Sequence, residues 1–530
     1  MNKTLRLTAR YLEWTLPVLV ALLLAFPHLR HSFWFDEGLT LQIASQPTLV
    51  GVSEWAMTIK PLPPLYFILV HYSYQWVGGE PGLRLISLLF GLLTIPLINW
   101  VGKLMGLGMA GRVASWLWVA TPGVLYHFVD ANPYTILVFW NLLSVGFLLK
   151  GLKNAGHWRY WILHTLSVLG GMASHTLFIF YAASGWLALV LAIWLQEKDQ
   201  GMVPRERPRS WLWQHRKAIL FISLQWVLWI LWSIYFIQNK HYPTAFHPQH
   251  LISPSIPFAL AGLGIGPLSL GLTWEAPIFL FLLCLGAVRL WRFQRRTLLM
   301  VMVLWIPAVC GIGLFIKLTL YFLAYRYGLG IYPLACLLAA TAIVSLPASE
   351  QSWRKQGWRV LLLLVFLAGG LLSTTMGERA LFLYQDWREC ARQMTQTTGP
   401  GDILWFPEPH SSYSFRFYYR GPSSFVTSSS RDLEQNVADM LRIREKLSPG
   451  ARLWILKPQF SNRRIWIDRF AKVNRGLAAG WMDRFAAALR GRGSNLRLVR
   501  SDSFLRIDFA YLESLRIGLL VWIEGILNAA

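Results

Sequence analysis

The chain has 530 residues, 55% of them hydrophobic and 14% charged, with a formal net charge of +24 and a mean hydropathy of +0.41. Soluble domains carry roughly 25% charged residues, so composition excludes a soluble globular protein and indicates a polytopic membrane protein. The basic residues largely alternate with apolar spans, which points to membrane orientation and away from nucleic acid.

Lys3, Arg6 and Arg10 precede an apolar run from about Trp14 to Pro27. Phe26-Pro27-His28-Leu29-Arg30 follows where a small-residue cleavage site would stand, so the run reads as a retained first transmembrane helix. A crossing helix needs roughly 20 apolar residues, and basic residues collect on the cytoplasmic side. The first span therefore runs outward to Asp36 and Glu37, in Phe33-Trp34-Phe35-Asp36-Glu37-Gly38-Leu39. Adjacent carboxylates among aromatics at a membrane rim are costly without a partner or a task. The plainer reading is a solvated acidic turn that ends the helix.

Residues 34–64 read as an external loop that closes on Pro61-Leu62-Pro63-Pro64. Leu65 to Val77 is apolar but short, and suits an interfacial helix. Spans are expected at Leu83–Met105, Val113–Phe128, Tyr134–Leu149, Trp161–Ser174, Thr176–Leu195 and Ala218–Ile237. A Pro-, Gly- and His-rich loop from Gln238 to Glu275 follows, then spans at Ala276–Leu290, Thr297–Ile316, Gly328–Leu346 and Val360 to about Thr375. The basic stretch from Lys198 to Lys217 fixes the cytoplasmic side. About eleven spans result, an odd number that leaves the C-terminal region external.

The fold class expected is thus an all-α polytopic membrane domain (1–376) followed by a small α/β extracytoplasmic domain (377–530). In the latter, helix-like stretches (Asp386–Thr395, Arg431–Lys446, Arg463–Leu489) alternate with short strands (Asp402–Phe406, Arg452–Leu456). Leu515–Leu527 reads as interfacial. Cys284, Cys310 and Cys336 lie in apolar spans and Cys390 stands alone, so no disulfide framework or Cys-based zinc site is indicated. Gly262-x-Gly264-x-Gly266 falls in an external loop, outside any strand–turn–helix setting for a nucleotide.

The external ends of the spans collect Asp36, Glu37, Asp130, His175 and Arg326, with tyrosines and tryptophans. Singly, each has a dull reading: Asp130 as a turn residue before Asn132-Pro133, His175 as a hydrogen-bonded helix end, Arg326 as a lipid anchor. Together they describe a pocket able to deprotonate an acceptor and hold a phosphate.

Several motifs resemble, in order, the polyprenyl-phosphate-dependent GT-C glycosyltransferases. They are Phe35-Asp36-Glu37-Gly38, Pro63-Pro64-Leu65-Tyr66, Gly82-Leu83-Arg84-Leu85-Ile86-Ser87, Ala131-Asn132-Pro133-Tyr134, Ser174-His175 and Tyr325-Arg326-Tyr327-Gly328-Leu329. Gln385-Asp386-Trp387-Arg388 and Pro400-Gly401-Asp402-Ile403-Leu404 resemble the exported domain of bacterial members. The chain is most similar to the protein-mannosyltransferase-like group, glycosyltransferase family 39, which also includes relatives that modify lipid A with aminoarabinose. In many members a Lys or His stands directly before the Pro-Pro pair; here Leu62 holds that place and Lys60 sits three residues before Pro63.

The resemblance implies a polyprenyl-phosphate-linked sugar donor, Asp36 as the catalytic acid–base residue with Glu37 beside it, and a bacterial plasma (inner) membrane. The expected reaction is an inverting transfer on the external face, with Arg326, Tyr325, Tyr327 and Lys60 toward the donor phosphate. Asp130 and His175 are candidates for the acceptor or for a divalent metal, magnesium or manganese, whose involvement stays open. Lipid, glycan and protein acceptors all remain, as does the choice of sugar. A carrier or flippase for a polyprenyl-linked or other anionic lipid is the rival, though its key charges should lie at mid-membrane; an inactive scaffold is a third reading.

Overall fold

The computed structural model describes residues 15–154, 157–199, 207–239, 275–319, 325–345, 364, 368, 387–406, 411–428, 435, 438–440, 442–443, 451–458, 500–504 and 507–513. The expectations for the 238–275 loop, the 360–375 span, the 463–489 helix and the 515–527 segment fall wholly or almost wholly outside these. The described residues divide into two compact units. The first takes those up to Leu29 and from Gln46 to Arg379; the second takes Arg30–Ser45 and those from Ala380 onward.

The first unit is helical. It holds α1 (Thr15–Arg30) as far as Leu29; α2 (Phe35–Ala44) belongs to the second unit. After α2 come α3 (Leu49–Ile59), α4 (Leu65–Val77), α5 (Gly79–Leu104), α6 (Gly108–Val119), α7 (Pro122–Phe128), α8 (Tyr134–Lys153), α9 (Trp158–Ser174) and α10 (Phe178–Asp199). Then follow α11 (Arg207–Asn239), α12 (Glu275–Phe293), α13 (Arg295–Thr319), a 3-10 turn at Tyr325–Gly328 and α14 (Tyr332–Ser345). Among the described residues, 5 helices are long and apolar enough to cross a membrane. The chain is thus a multi-pass membrane protein in its first unit.

Residues 34–64, expected as an external loop, contain helices α2 and α3; the Thr48 hydroxyl caps α3 by accepting the Gly51 amide at 3.1 Å, as a good N-cap does. One expectation needs correction. The single span Val113–Phe128 is broken after α6, because Pro122 has no amide hydrogen and can only open a new helix.

Packing follows from small residues and buried polar caps. A Cβ on Gly102 would lie 2.7 Å from the Cα of Gly111, so α5 and α6 meet backbone to backbone, as small-residue contacts permit in membranes. Tyr332 to Ile343 of α14 are all buried, against α12 and α6. Arg84 of α5 is also buried. Its guanidinium donates to the carbonyls of His28 at 3.2 Å and Leu29 at 3.0 Å, answering carbonyls that the end of α1 leaves without helical donors.

The second unit contains α2 and a five-stranded sheet of order β2-β1-β3-β5-β4. Its elements are α15 (Trp387–Thr397), β1 (Ile403–Phe406), α16 (Ser411–Tyr418), β2 (Ser424–Thr427), β3 (Arg452–Pro458), β4 (Arg500–Phe504) and β5 (Ile507–Glu513). Strand β1 runs parallel to β2 and β3, while β5 is antiparallel to β3 and β4. Trp387, Cys390 and Met394 of α15 and Phe415 of α16 pack on Leu404, Phe406, Trp454 and Leu456.

Asp402, just before β1, ties this sheet together. It accepts the Arg452 amide at 2.8 Å, the Trp454 indole at 3.0 Å and the Gly399 amide at 3.1 Å. Burial works against its charge, but the Trp454 bond, the two amides and the Arg452 cation outweigh it and hold the carboxyl below the usual range. Its stabilisation is therefore present above the unfolded value of about 3.9 and lost as pH falls through the lower folded value. Asp402→Ala should destabilise the sheet by about 1–3 kcal/mol. Hydrogen exchange of the β1 and β3 amides should rise in that variant, and in the native protein on acidification but not between pH 6 and 8.

Candidate functional site

The loop between α7 and α8 gathers the most concentrated polar chemistry described in the first unit. The turn is tight: the Asn132 amide bonds the Asp130 carbonyl at 2.7 Å, and the Tyr134 amide bonds the Asn132 carbonyl at 2.9 Å. Pro133 then opens α8. Asp130 is 1% exposed, so its charge needs close donors. His127 Nδ1 donates to Oδ2 at 3.1 Å, and Asn132 Nδ2 donates to Oδ1 at 2.7 Å. The amide oxygen of Asn132 in turn accepts Lys60 Nζ at 2.6 Å. Its main-chain carbonyl accepts the Ser87 hydroxyl at 3.3 Å, which pairs with Tyr66 at 2.8 Å.

Burial pushes the Asp130 carboxyl up, but the His127 hydrogen bond and charge, the Asn132 bond and the nearby Arg326 charge together hold it below the usual range. Asp130 is an anion at neutral pH. His175 is the opposite case: burial, then Arg326, push it down to about 3. It stays a neutral imidazole, and its Nδ1 accepts the Leu177 amide at 3.1 Å.

Tyr134 is the aromatic hub. Its ring lies 5.0 Å from His127 and 5.7 Å from His175, and the Arg326 guanidinium stands over it at 5.5 Å, within cation–π range. The backbone after Arg326 is pinned, because Asn141 of α8 donates to the Gly330 carbonyl at 2.7 Å. Asp130, Lys60, His175 and Arg326 are thus brought together around Asn132 and Tyr134. The side chains of Tyr325 and Tyr327 lie outside the described residues. His127 and Asn132 were not among the expected site residues; the i, i+3 spacing of His127 and Asp130 is the signal that marks the first.

Asp36 and Glu37 stand in the second unit, in the first turn of α2. Glu37 is 1% exposed and accepts the Trp34 amide at 3.3 Å, which makes it the cap of its own helix. Asp36 is half-buried.

Among the described residues no group of three His, Cys, Asp or Glu side chains is placed to hold a metal ion. Around the two candidates, Asp130 accepts His127 and Asn132, and Arg326 bears on both Asp130 and His175.

No protein-family model and no curated protein sequence matches the chain. The chain has the GT-C fold of the solved structures it resembles. It is similar to ArnT from Cupriavidus metallidurans bound to undecaprenyl phosphate, with a TM-score of 0.55 and 17% identity over 96% of this chain and 99% of that one. The apo form of the same ArnT matches with a TM-score of 0.55 and 16% identity, at the same coverage. The apo Archaeoglobus fulgidus oligosaccharyltransferase is more distant, with a TM-score of 0.49 and 10% identity over 84% of this chain and 69% of that one.

The buried charge gives a stability test. Asp130→Ala strips His127, Asn132 and Arg326 of their anion and should cost about 3 kcal/mol; Lys60→Met should cost about 1 kcal/mol. Thermal unfolding of the two variants in detergent micelles checks the order.

Proposed function

We propose that this chain is a membrane glycosyltransferase that moves a sugar from a polyprenyl-phosphate donor to an acceptor on the external face of the membrane. The observation that carries this reading is the pair of cations beside the α7–α8 turn. Lys60 donates to the Asn132 side-chain oxygen and Arg326 stands over the Tyr134 ring, groups of the kind that hold a lipid phosphate. Fold-level analogy adds support, since a structure of the same fold holds undecaprenyl phosphate.

In the proposed reaction Asp36 takes the proton of an acceptor hydroxyl as that oxygen bonds to the anomeric carbon. The bond from that carbon to the phosphate oxygen breaks, its electron pair leaves on the lipid phosphate, and the configuration inverts. Of the two carboxylates the family resemblance implies Asp36 as the base, with Glu37 beside it accepting the Trp34 amide. A positioned base contributes roughly 10²–10⁴-fold, and charge stabilisation of the leaving phosphate by Arg326 and Lys60 about 10²–10³-fold more.

The proposed setting is the plasma (inner) membrane of a bacterium, with a cytoplasmic N-terminus. Lys103, Lys150, Lys153 and Arg292 stand in the last turns of α5, α8 and α12, as the positive-inside rule asks of cytoplasmic ends. A periplasm-active reporter fused at Ser430 should be active, and an inactive one would reverse the assignment.

Mass spectrometry of envelope lipids and glycans, from cells without this protein and cells complemented with variants, tests the reaction. Wild type should restore a glycosylated product. Asp36→Asn should lower it by about two orders of magnitude or more, with Glu37→Gln milder. An Asp36→Asn variant that restores product at the wild-type rate removes Asp36 as the base. Arg326→Ala should weaken donor use, and Arg326→Lys should recover only part, because the planar fork is lost.

A further inference from the structure

We infer that the sheet-bearing part of the second unit, through α16 and α15, positions the helix that carries Asp36. The inference rests on the reading of Asp36 as the proton acceptor. Its ground is a run of specific contacts between two pieces of chain far apart in sequence.

The segment leading into α2 is gripped at nearly every residue. The Arg388 guanidinium donates to the Arg30 carbonyl at 2.8 Å, and the Arg388 amide donates to the Ser32 hydroxyl at 3.2 Å. The Phe33 amide donates to the Tyr418 hydroxyl at 2.9 Å. The Ser414 hydroxyl donates to the Trp34 carbonyl at 3.1 Å, beside the first helical bond of α2, from the Gly38 amide at 3.0 Å. The Phe33 ring lies 5.0 Å from Phe417 and 5.9 Å from Tyr418, and the Arg388 guanidinium stands 5.4 Å from the Tyr418 ring.

The closest approach is at Gly38. A Cβ there would fall 2.2 Å from Ser414 Oγ and 3.0 Å from the Ser414 amide nitrogen. Only glycine lets α2 sit this close to α16. Two residues correspond to about 200° of helical turn, so Asp36 lies on the side of α2 opposite Gly38. The α/β layer thus grips one face of the helix and leaves the other for the carboxylate. A general base needs about 2.6–3.2 Å to the proton's heavy atom, and a misplacement of about 1 Å costs on the order of 10²-fold. Such tolerance requires a firm mount, which a ten-residue helix lacks on its own.

Gly38→Ala forces the issue. Ordinary contact is about 3.5 Å, so either α2 shifts by roughly 1 Å or the Ser414 hydroxyl turns away and gives up the Trp34 carbonyl. Ser414→Ala in the same chain removes the clashing oxygen and should restore most of the position. The full-length protein would be assayed for product by envelope mass spectrometry, and for hydrogen exchange over residues 30–45 in lipid nanodiscs without substrate. Gly38→Ala should lower product about 10²-fold and raise exchange over residues 30–45, with unchanged retention of added undecaprenyl phosphate. The Gly38→Ala/Ser414→Ala pair should recover at least about tenfold of that loss. Tyr418→Phe, which removes the Phe33 acceptor without a clash, should raise exchange over the same segment and lower product.

Wild-type product from Gly38→Ala and Tyr418→Phe, alongside loss in Asp36→Asn, would overturn the positioning role and leave the base assignment standing. Retained product in Asp36→Asn would bring down the base assignment and the inference with it, whatever the exchange data. Loss in Gly38→Ala that Ser414→Ala fails to relieve, with exchange unchanged over residues 30–45, would also overturn it.

Discussion

A carboxylate buried at the end of a membrane helix persists as an anion only where neighbouring groups answer its charge, and Asp130 imposes that demand on the first unit. An unanswered buried charge costs several kcal/mol. His127 and Asn132 take its two oxygens, Asn132 passes the polarity on to Lys60, and Arg326 adds its field. The side chains that meet this demand come from the α3–α4 connection, α7, the α7–α8 turn and the 3-10 turn before α14. One ionised group therefore specifies the relative placement of several segments, the use for which buried polar groups are best attested.

The same region is where the helices are interrupted. Within lipid, irregular backbone is tolerated only if buried in protein with its polar groups satisfied. Each described break has a local substitute. Thr121 Oγ donates to the Leu117 carbonyl, the Asn132 amide turns back to Asp130, His175 Nδ1 receives the Leu177 amide, and Asn141 reaches the Gly330 carbonyl. Interruption and chemistry meet at Asn132, whose amide turns back to the Asp130 carbonyl while its side chain donates to the Asp130 carboxylate. Tyr134 joins the set through its ring, giving Arg326 a face to pack on without neutralising it.

Much of the helical architecture was legible because apolar length is a strong signal. Leu65–Val77 carries the bounds read from its flanking prolines and glycines. The α6–α7 break was missed, although Pro122 announces it, since hydropathy runs on unchanged through Ala120 and Thr121. Strands β1 and β3 stood out as apolar runs. Strands β4 and β5 did not, because Arg500-Ser501-Asp502-Ser503-Phe504 is polar at an edge and is defined only by its register on β5. At the site, Asp130, Lys60, His175 and Arg326 were visible as rim charges, whereas His127 reads as an ordinary core histidine until Asp130 is seen beside it. That Glu37 accepts the Trp34 amide was not legible in the adjacent pair Asp36-Glu37, since it depends on how the backbone turns into α2. Membership of Arg30–Ser45 in the second unit has no local signature either, since it is written in contacts with residues near the other end of the chain.

The bond between the Phe33 amide and the Tyr418 hydroxyl joins residues 385 positions apart. Chains emerge from the ribosome at about 5–20 residues per second, so the α2 segment waits roughly 20–80 s for its partner to be made. Until then the segment has been synthesised without its seat. A nascent chain would reach the membrane with its Asp36 helix unmounted, and would mature only after translation had passed Tyr418. The order of synthesis thereby leaves the α2 segment without these contacts until residue 418 has been made.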